Sequence, residues 1–327
     1  MLLTIVVLSY NRPRGIERIL KNLVGYKSSR VSLLIKDDCS PKFQDIKNIY
    51  KEYQNSIIIK SNLYQNKSNL GFAGNLIDAF SVLDSKFVMF LSDDDYIFTG
   101  NIKKLLDQIE LNKSPIYFSP YTLNGEQHRN NIFSYTFHKF SDVIYNSVLF
   151  SGLIFNRLAV QSINYDSSYV KKSIHPQVIL ASLIVYKYKK IGFTPQDILA
   201  VGNDMENFFG KNEYTSDTHL LSNRETIDSH LIYQQYLIDA VEYISKNTNL
   251  RIKKFFWRSY RIRLIAYLIR VRSLGLRSFI SFFKSYILKN IKKDYIVTLF
   301  FVFFLIVPKV ISKIIYSLGV KHFRKSG

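Results

Sequence analysis

The chain has 327 residues, 47% of them hydrophobic and 21% charged, which supplies enough apolar matter for a real core and excludes an intrinsically disordered protein. Its net charge of +20 suggests a nucleic-acid binder until it is located: residues 251–327 hold 18 of the 45 Lys and Arg against one acid, Asp294, a net +17, and leave +3 on residues 1–250. One cysteine, Cys39, excludes an intrachain disulfide framework and a cysteine zinc site, and suits a reducing compartment.

Leu2 to Ser9 is a continuous apolar run that predicts a strand buried on both faces, and it lacks the basic n-region of a secretory signal. Asn11-Arg12-Pro13 ends it, and Ile16, Ile19, Leu20, Leu23 and Val24 follow at helical spacing. Val31 to Ile35 is a second strand closing in Lys36-Asp37-Asp38-Cys39-Ser40-Pro41, with a helix expected over 42–53 and a short strand at Ile57 to Lys60. This alternation argues a right-handed parallel α/β unit. Next come the glycine-bearing loop Asn69-Leu70-Gly71-Phe72-Ala73-Gly74-Asn75, a helix near Leu76 to Leu83, and the strand Phe87 to Leu91 running into Asp93-Asp94-Asp95. Ligands of open α/β sheets bind outside the carboxyl ends of the strands, so residues 9–12, 37–40 and 93–95 should converge on one crevice. Three adjacent carboxylates repel one another there and call for a cation, most naturally a divalent ion carrying phosphates.

Beyond Asn101 we expect a helix to Asn112, a strand over Ile116 to Pro120, a polar loop over Asn124 to Asn131, and an apolar stretch Val148 to Phe155 holding Ser151-Gly152. His175-Pro176-Gln177 opens a helix over Val178 to Tyr188 and precedes Lys190-Ile191-Gly192. The acidic segment 203–217 reads equally as a mobile loop beside the crevice or as a plain surface excursion, and a helix over Arg224 to Lys246 joins the body to the basic tail.

In order and spacing, residues 4–12, Asp37-Asp38-Cys39-Ser40, the 69–75 loop and Ser92-Asp93-Asp94-Asp95 resemble the family-2 glycosyltransferases of the GT-A fold, especially those building bacterial surface polysaccharide of the O-antigen or capsule type. The resemblance covers residues 1 to about 100. It implies a Rossmann-like α/β domain over 1–220, with its nucleotide-sugar half in 1–100 and its acceptor half in 101–220, ahead of a helical basic region at 221–327. It also implies that Tyr10, Arg12 and Asp38 line the base pocket, that Asn69, Gly71 and Asn75 border the donor, and that Asp93 lies near the ribose with Asp94 beside it. Asp95, with Asp93, would hold Mg²⁺ or Mn²⁺ on the diphosphate. The family usually opens a helix of the acceptor half with an acidic pair carrying the general base. Here that helix opens on His175 without an acid, which leaves His175, Asp166, Asp204 and Glu206 as base candidates.

Residues 252–289 interleave Arg and Lys with bulky apolar side chains, the pattern of a helix lying in a lipid interface, with Trp257, Arg258 and Arg261 as contacts. Tyr295 to Val307 is a run of 13 uncharged residues, shorter than the roughly 20 needed to span a bilayer, so it should dip into an anionic membrane surface beside Lys292 and Lys293. Aliphatic content disfavours single-stranded nucleic acid as the partner. The expectation is a transferase moving sugar from a nucleotide-diphosphate donor to a lipid-linked saccharide, peripheral or monotopic at the cytoplasmic face of a bacterial inner membrane. A sugar-nucleotide pyrophosphorylase and a non-catalytic membrane scaffold are the alternatives.

Overall fold

The computed structural model describes residues 1–123, 125–129, 140–194, 196–202, 227–248, 275–282 and 295–315, together with single positions between 252 and 273. The N-terminal half alternates as the apolar pattern requires: β1 Leu3–Ser9, α1 Pro13–Leu23, β2 Val31–Asp37, α2 Phe43–Tyr53, β3 Lys60–Gln65, α3 Gly71–Ala79 and β4 Phe87–Ser92. Every residue of β1 and β2 is buried, because helices cover both faces of the sheet. Side chains alternate across the strand: Ile5 and Val7 join a core with α1, α2 and α4 Thr99–Asn112, while Val6 and Leu8 join a second core on the opposite face.

Register decides where the chemistry sits. Among the described residues, seven strands form one sheet in the order β10-β6-β9-β4-β1-β2-β3, where β6 is Ile116–Phe118, β9 is Leu153–Asn156 and β10 is Gly192–Phe193. Strand β1 runs parallel to both neighbours, with Ser9 opposite Asp37 and Leu8 opposite Ser92. The turns after β1, β2 and β4 therefore leave the sheet at one level, side by side, as the strand-end rule requires.

Three details differ from the sequence expectation. Strand β3 begins at Lys60, where Ile57 to Lys60 was expected: Ile57 and Ile59 are buried as the approach to the strand, and the edge strand itself is mostly polar. Strand β9, the apolar run after Ser151-Gly152, inserts antiparallel between β4 and β6. The polar stretch after residue 120 is a hairpin of β7 Tyr121–Leu123 and β8 Glu126–His128, which joins β5 Tyr96–Ile97 and β11 Leu199–Ala200 in a small second sheet. Strands of two and three residues leave too short a pattern for a period of two to register.

The larger core gathers α3, α5 Phe140–Ser147, α8 Pro176–Tyr188 and α9 Ile227–Asn247. It also takes in Ile252, Phe256, Tyr260, Leu264 and Leu268, which recur every four residues in the segment expected to lie in lipid. Phe256 stacks on Tyr145 of α5 with ring centroids 5.7 Å apart. The apolar stripe of that segment is satisfied by the protein body. Trp257 is half-buried, its ring edge-on to Tyr260 at 5.2 Å, and Arg261 is likewise half-buried; Arg258, Lys292 and Lys293 lie outside the described residues. Phe256→Ala should therefore lower stability by about 3–5 kcal/mol in urea titration of the protein without lipid, as a core truncation does; a shift under about 1 kcal/mol would contradict this packing.

Candidate functional site

The three turns are tied to one another before any ligand is considered. The Asp38 N–H donates to the Ser9 carbonyl at 2.9 Å, and the Asn11 N–H donates to Ser40 Oγ at 2.7 Å. Asp37 is consumed locally, accepting from the Ser40 N–H at 2.8 Å and from the Ser40 hydroxyl. Asn11 and Cys39, one in each turn, adopt left-handed backbone with φ of 60°. Asparagine visits that region more readily than a branched residue, which lets the chain turn sharply out of β1.

The acidic triplet follows β4 and faces Arg12. Arg12 Nη1 lies 2.7 Å from Asp93 Oδ1 and 3.4 Å from Asp94 Oδ2. Helix α1 reaches this place because position 15 has no side chain: a Cβ on Gly15 would stand 2.1 Å from the Asp93 carbonyl oxygen. The sequence reading passed over Gly15, which carries no special φ; only the close approach reveals it. Asp95 Oδ1 accepts from the Gly202 N–H at 3.1 Å, and Ser151 lies beside the same carboxyl while its hydroxyl accepts from the Ser92 N–H at 3.0 Å.

Burial dominates the electrostatics. Asp93 is 4% and Asp95 1% exposed. Desolvation pushes Asp93 up to about 6, against the pull of Arg12 and with a further push from Asp94. Desolvation, with Asp94 second, pushes Asp95 up to about 7. Asp95 Oδ2 is buried and has no hydrogen-bond partner among the described residues. A divalent cation fits this pair: it would satisfy the orphaned oxygen and favour the charged form of both acids. No group of three or more His, Cys, Asp or Glu that could hold a metal occurs among the described residues, so such an ion would take the rest of its shell from oxygens of a ligand or water.

Behind the crevice lies a polar scaffold that the sequence reading did not find. Lys36, on β2 next to the edge strand, is fully buried; its Nζ donates to Asn66 Oδ1, pairs with Asp78 Oδ2 at 2.9 Å and sits 4.9 Å over the Tyr64 ring. Asn66 Nδ2 donates to Asp38 Oδ1 at 2.8 Å and to Asn75 Oδ1 at 3.0 Å, and Asn75 Nδ2 reaches the Lys36 carbonyl at 3.2 Å. The Leu70 N–H completes the set on Asp38 Oδ1 at 2.8 Å. Asp38 and Asn75 thus fix the loop that starts α3. Asn69 Oδ1 accepts from the Gly71 N–H at 2.9 Å, with Gly71 at φ 71°. Tyr10, Asn69 and Asp94 stay half-buried at the crevice rim.

A second missed residue, Arg129, supports the other side. Its buried guanidinium donates to the carbonyls of Asn146 at 2.7 Å, Ser151 at 2.8 Å, Ser119 at 3.2 Å and Leu149. Desolvation lowers its pKa to about 10, and the Asp95 charge opposes that shift. It therefore holds the segment that places Ser151 against Asp95.

Two of the four expected base candidates, His175 and Asp166, fall among the described residues. His175 is fully buried at the start of α8. Asp166 is exposed and caps α7 Ser167–Lys172, accepting from the Ser168 and Tyr169 N–H groups at 2.8 and 3.2 Å, and the Ser168 hydroxyl is the first cause holding its pKa below the usual range. Asp204 and Glu206 lie outside the described residues.

Residues 4–157 match the family model described as Glycosyl transferase family 2. A search of the curated proteins finds no match. Among solved structures, the chain is similar to S. aureus TarS 1–349 in complex with UDP, at 18% identity and TM-score 0.51 over 73% of this chain and 70% of that one. The same fragment in complex with UDP-GlcNAc gives 17% and 0.51 over 77% and 74%. Without a named ligand it gives 15% and 0.52 over 78% and 83%. At these identities the likeness establishes an α/β GT-A-like fold with a mixed sheet.

Because the folded pKa of Asp95 lies near 7 and the unfolded value near 3.8, the folded state keeps a proton that the unfolded state has lost between those limits. Stability of the ion-free protein should fall as pH rises from about 4 to 7 and stay low above that. Asp95→Asn should flatten this dependence and raise stability at pH 8 by about 1–4 kcal/mol, at roughly 1.4 kcal/mol per pKa unit. An unchanged or lower melting temperature at pH 8 would contradict the burial cost. Gly15→Ala should cost about 1–3 kcal/mol by overpacking α1 on Asp93, measurable by thermal unfolding; a neutral result would contradict the close approach.

Proposed function

We propose that the chain, whose residues 4–157 match the Glycosyl transferase family 2 model, is a transferase that moves a sugar from a nucleoside-diphosphate donor to a lipid-linked saccharide in bacterial surface-polysaccharide synthesis of the O-antigen type. One observation supports this reading above the others: two buried carboxylates, one with an orphaned oxygen, stand at the strand-end edge, with Arg12 paired to Asp93.

Breaking the bond from the anomeric carbon to the diphosphate develops negative charge on the leaving oxygens. Mg²⁺ or Mn²⁺ held by Asp95 with Asp93 would supply charge neutralisation there without a proton transfer. Arg12 sets the position of Asp93 and Asp94 and adds positive charge at the same edge. Tyr10, Arg12 and Asp38 are assigned to the base side of the donor, and Asn69, Gly71 and Asn75 to the loop beside it. Asp38 and Asn75 act by holding that loop through Asn66 and Lys36. The TarS complexes with UDP and UDP-GlcNAc make a uridine donor the first to test.

The acceptor hydroxyl needs a base, and inversion at the anomeric carbon follows if that base acts from the face opposite the diphosphate. We assign the role to Asp204. Of the other candidates, Asp166 caps a helix and His175 is fully buried at a helix start, while Glu206 lies two residues further along the same segment as Asp204. Asp204 also follows by two residues the Gly202 N–H that holds Asp95. A lipid-linked acceptor places the enzyme at the cytoplasmic face of the inner membrane, and the +17 of residues 251–327 supports an anionic surface as the partner there, with no nucleic acid required.

Donor turnover tests the reading. Asp95→Ala, or excess EDTA with the unaltered enzyme, should lower it about a hundredfold or more, on the order of 3 kcal/mol of transition-state stabilisation. Full turnover in either case would remove the metal. Lys36→Met should raise the donor KM with little change in kcat, because it acts through the loop that holds the nucleotide; equal loss of both would place Lys36 in the chemistry instead.

A further inference from the structure

The large exposed apolar side chains of the C-terminal region concentrate in residues 295–315. The helix Tyr295–Ile306 is held to the body on one side only. Phe301 and Phe304 are buried, Phe301 stacks on Phe279 of the helix Leu276–Phe282 with centroids 4.4 Å apart, and Arg272 Nε donates to the Phe304 carbonyl at 3.0 Å. The opposite stripe faces out: Leu299 is 65%, Phe303 56% and Ile306 80% exposed, at the i, i+4, i+7 spacing of one helical face. After Pro308 the chain is helical again, and Val310 and Ile314 continue the exposed apolar surface beside exposed Lys309 and Lys313.

We infer that residues 295–315 are a docking surface for an anionic lipid bilayer, inserted to the depth of the headgroups and first carbons, and that the 252–272 segment is the strut holding it. Length and charge select this occupant. A 12-residue helix is about 18 Å long, against a hydrocarbon core of about 30 Å, and no helix among the described residues is long and apolar enough to cross a membrane. A second copy would bring two tails of net +17 together, whereas anionic headgroups neutralise them. The inference deepens the membrane reading proposed above by naming the surface, and moves lipid contact from Trp257 and its neighbours to Leu299, Phe303 and Ile306.

The test uses the full chain and vesicles of phosphatidylethanolamine with phosphatidylglycerol. Phe303→Glu combined with Ile306→Glu changes only exposed residues. It should weaken vesicle binding about tenfold or more while leaving thermal stability and nucleotide-sugar hydrolysis in solution unchanged. Binding at unaltered strength would overturn the inference. So would a wild-type dimer in solution that the double variant converts to monomer, because the surface would then belong to a second copy. Lys309→Glu with Lys313→Glu should weaken binding to these vesicles more than to vesicles of phosphatidylcholine alone. Brominated lipid should quench Phe303→Trp strongly and the native Trp257 weakly; the reverse order would return the contact to the 252–272 segment. Asp95→Ala enzyme should bind vesicles like wild type, so a failure of docking and a failure of the transfer chemistry register separately.

Discussion

Burying two carboxylates at the end of a central strand is costly, and the parts of this site are arranged around that cost. Asp93 and Asp95 are placed there by the register of β4 against β1, which brings the turn after the strand beside Arg12 in the turn after β1. The Arg12 guanidinium pairs with Asp93 and lies near Asp94, Arg129 acts on Asp95 through its charge, and Asp95 Oδ2 has no hydrogen-bond partner among the described residues. The molecule therefore carries strain that a divalent cation with a diphosphate would relieve, which couples ligand binding to the stability of the fold.

The supports on the two sides differ in kind. Beside β2 and α3 a neutral and ionic web from Lys36 through Asn66 to Asp38 and Asn75 fixes a loop, with its one lysine buried between an aspartate, an asparagine and a tyrosine ring. Beside Asp95 one arginine, Arg129, gathers carbonyls from two stretches of chain, Ser119 and residues 146–151, and thereby sets Ser151 against Asp95. Both devices leave the outer surface of the crevice free while holding its inner wall still, as a preorganised site requires.

The sheet, the strand-end crevice and the acidic pair were legible in the sequence because each rests on a local pattern: continuous apolar runs for β1, β2 and β4, and a triplet of acids where a buried strand must end. Gly15, Lys36 and Arg129 were not legible. Gly15 matters through a close approach to a residue 78 positions away, Lys36 looked like the first residue of a polar turn, and Arg129 looked like one more charge in a polar loop. The C-terminal region shows the same limit from the other side. The interleaving of basic and apolar residues over 252–289 suggested a helix in a lipid interface, but periodicity does not say whether an apolar face meets lipid or protein, and Ile252, Phe256, Tyr260, Leu264 and Leu268 join the core. The uncharged run after 295, expected to dip into a membrane surface, keeps most of its described apolar side chains exposed.

The central claim is that Asp93 and Asp95 bind a nucleoside diphosphate through a shared divalent ion. Titration calorimetry of the full chain with UDP, GDP, CDP and TDP, each with Mn²⁺ and with EDTA, tests it most directly. The account predicts that one of these nucleotides binds in the presence of Mn²⁺, at least about tenfold more weakly in EDTA, with protons released on binding near pH 6.5 as the raised carboxyls ionise. Binding of equal strength with and without the ion, or no binding of any of the four, would contradict it.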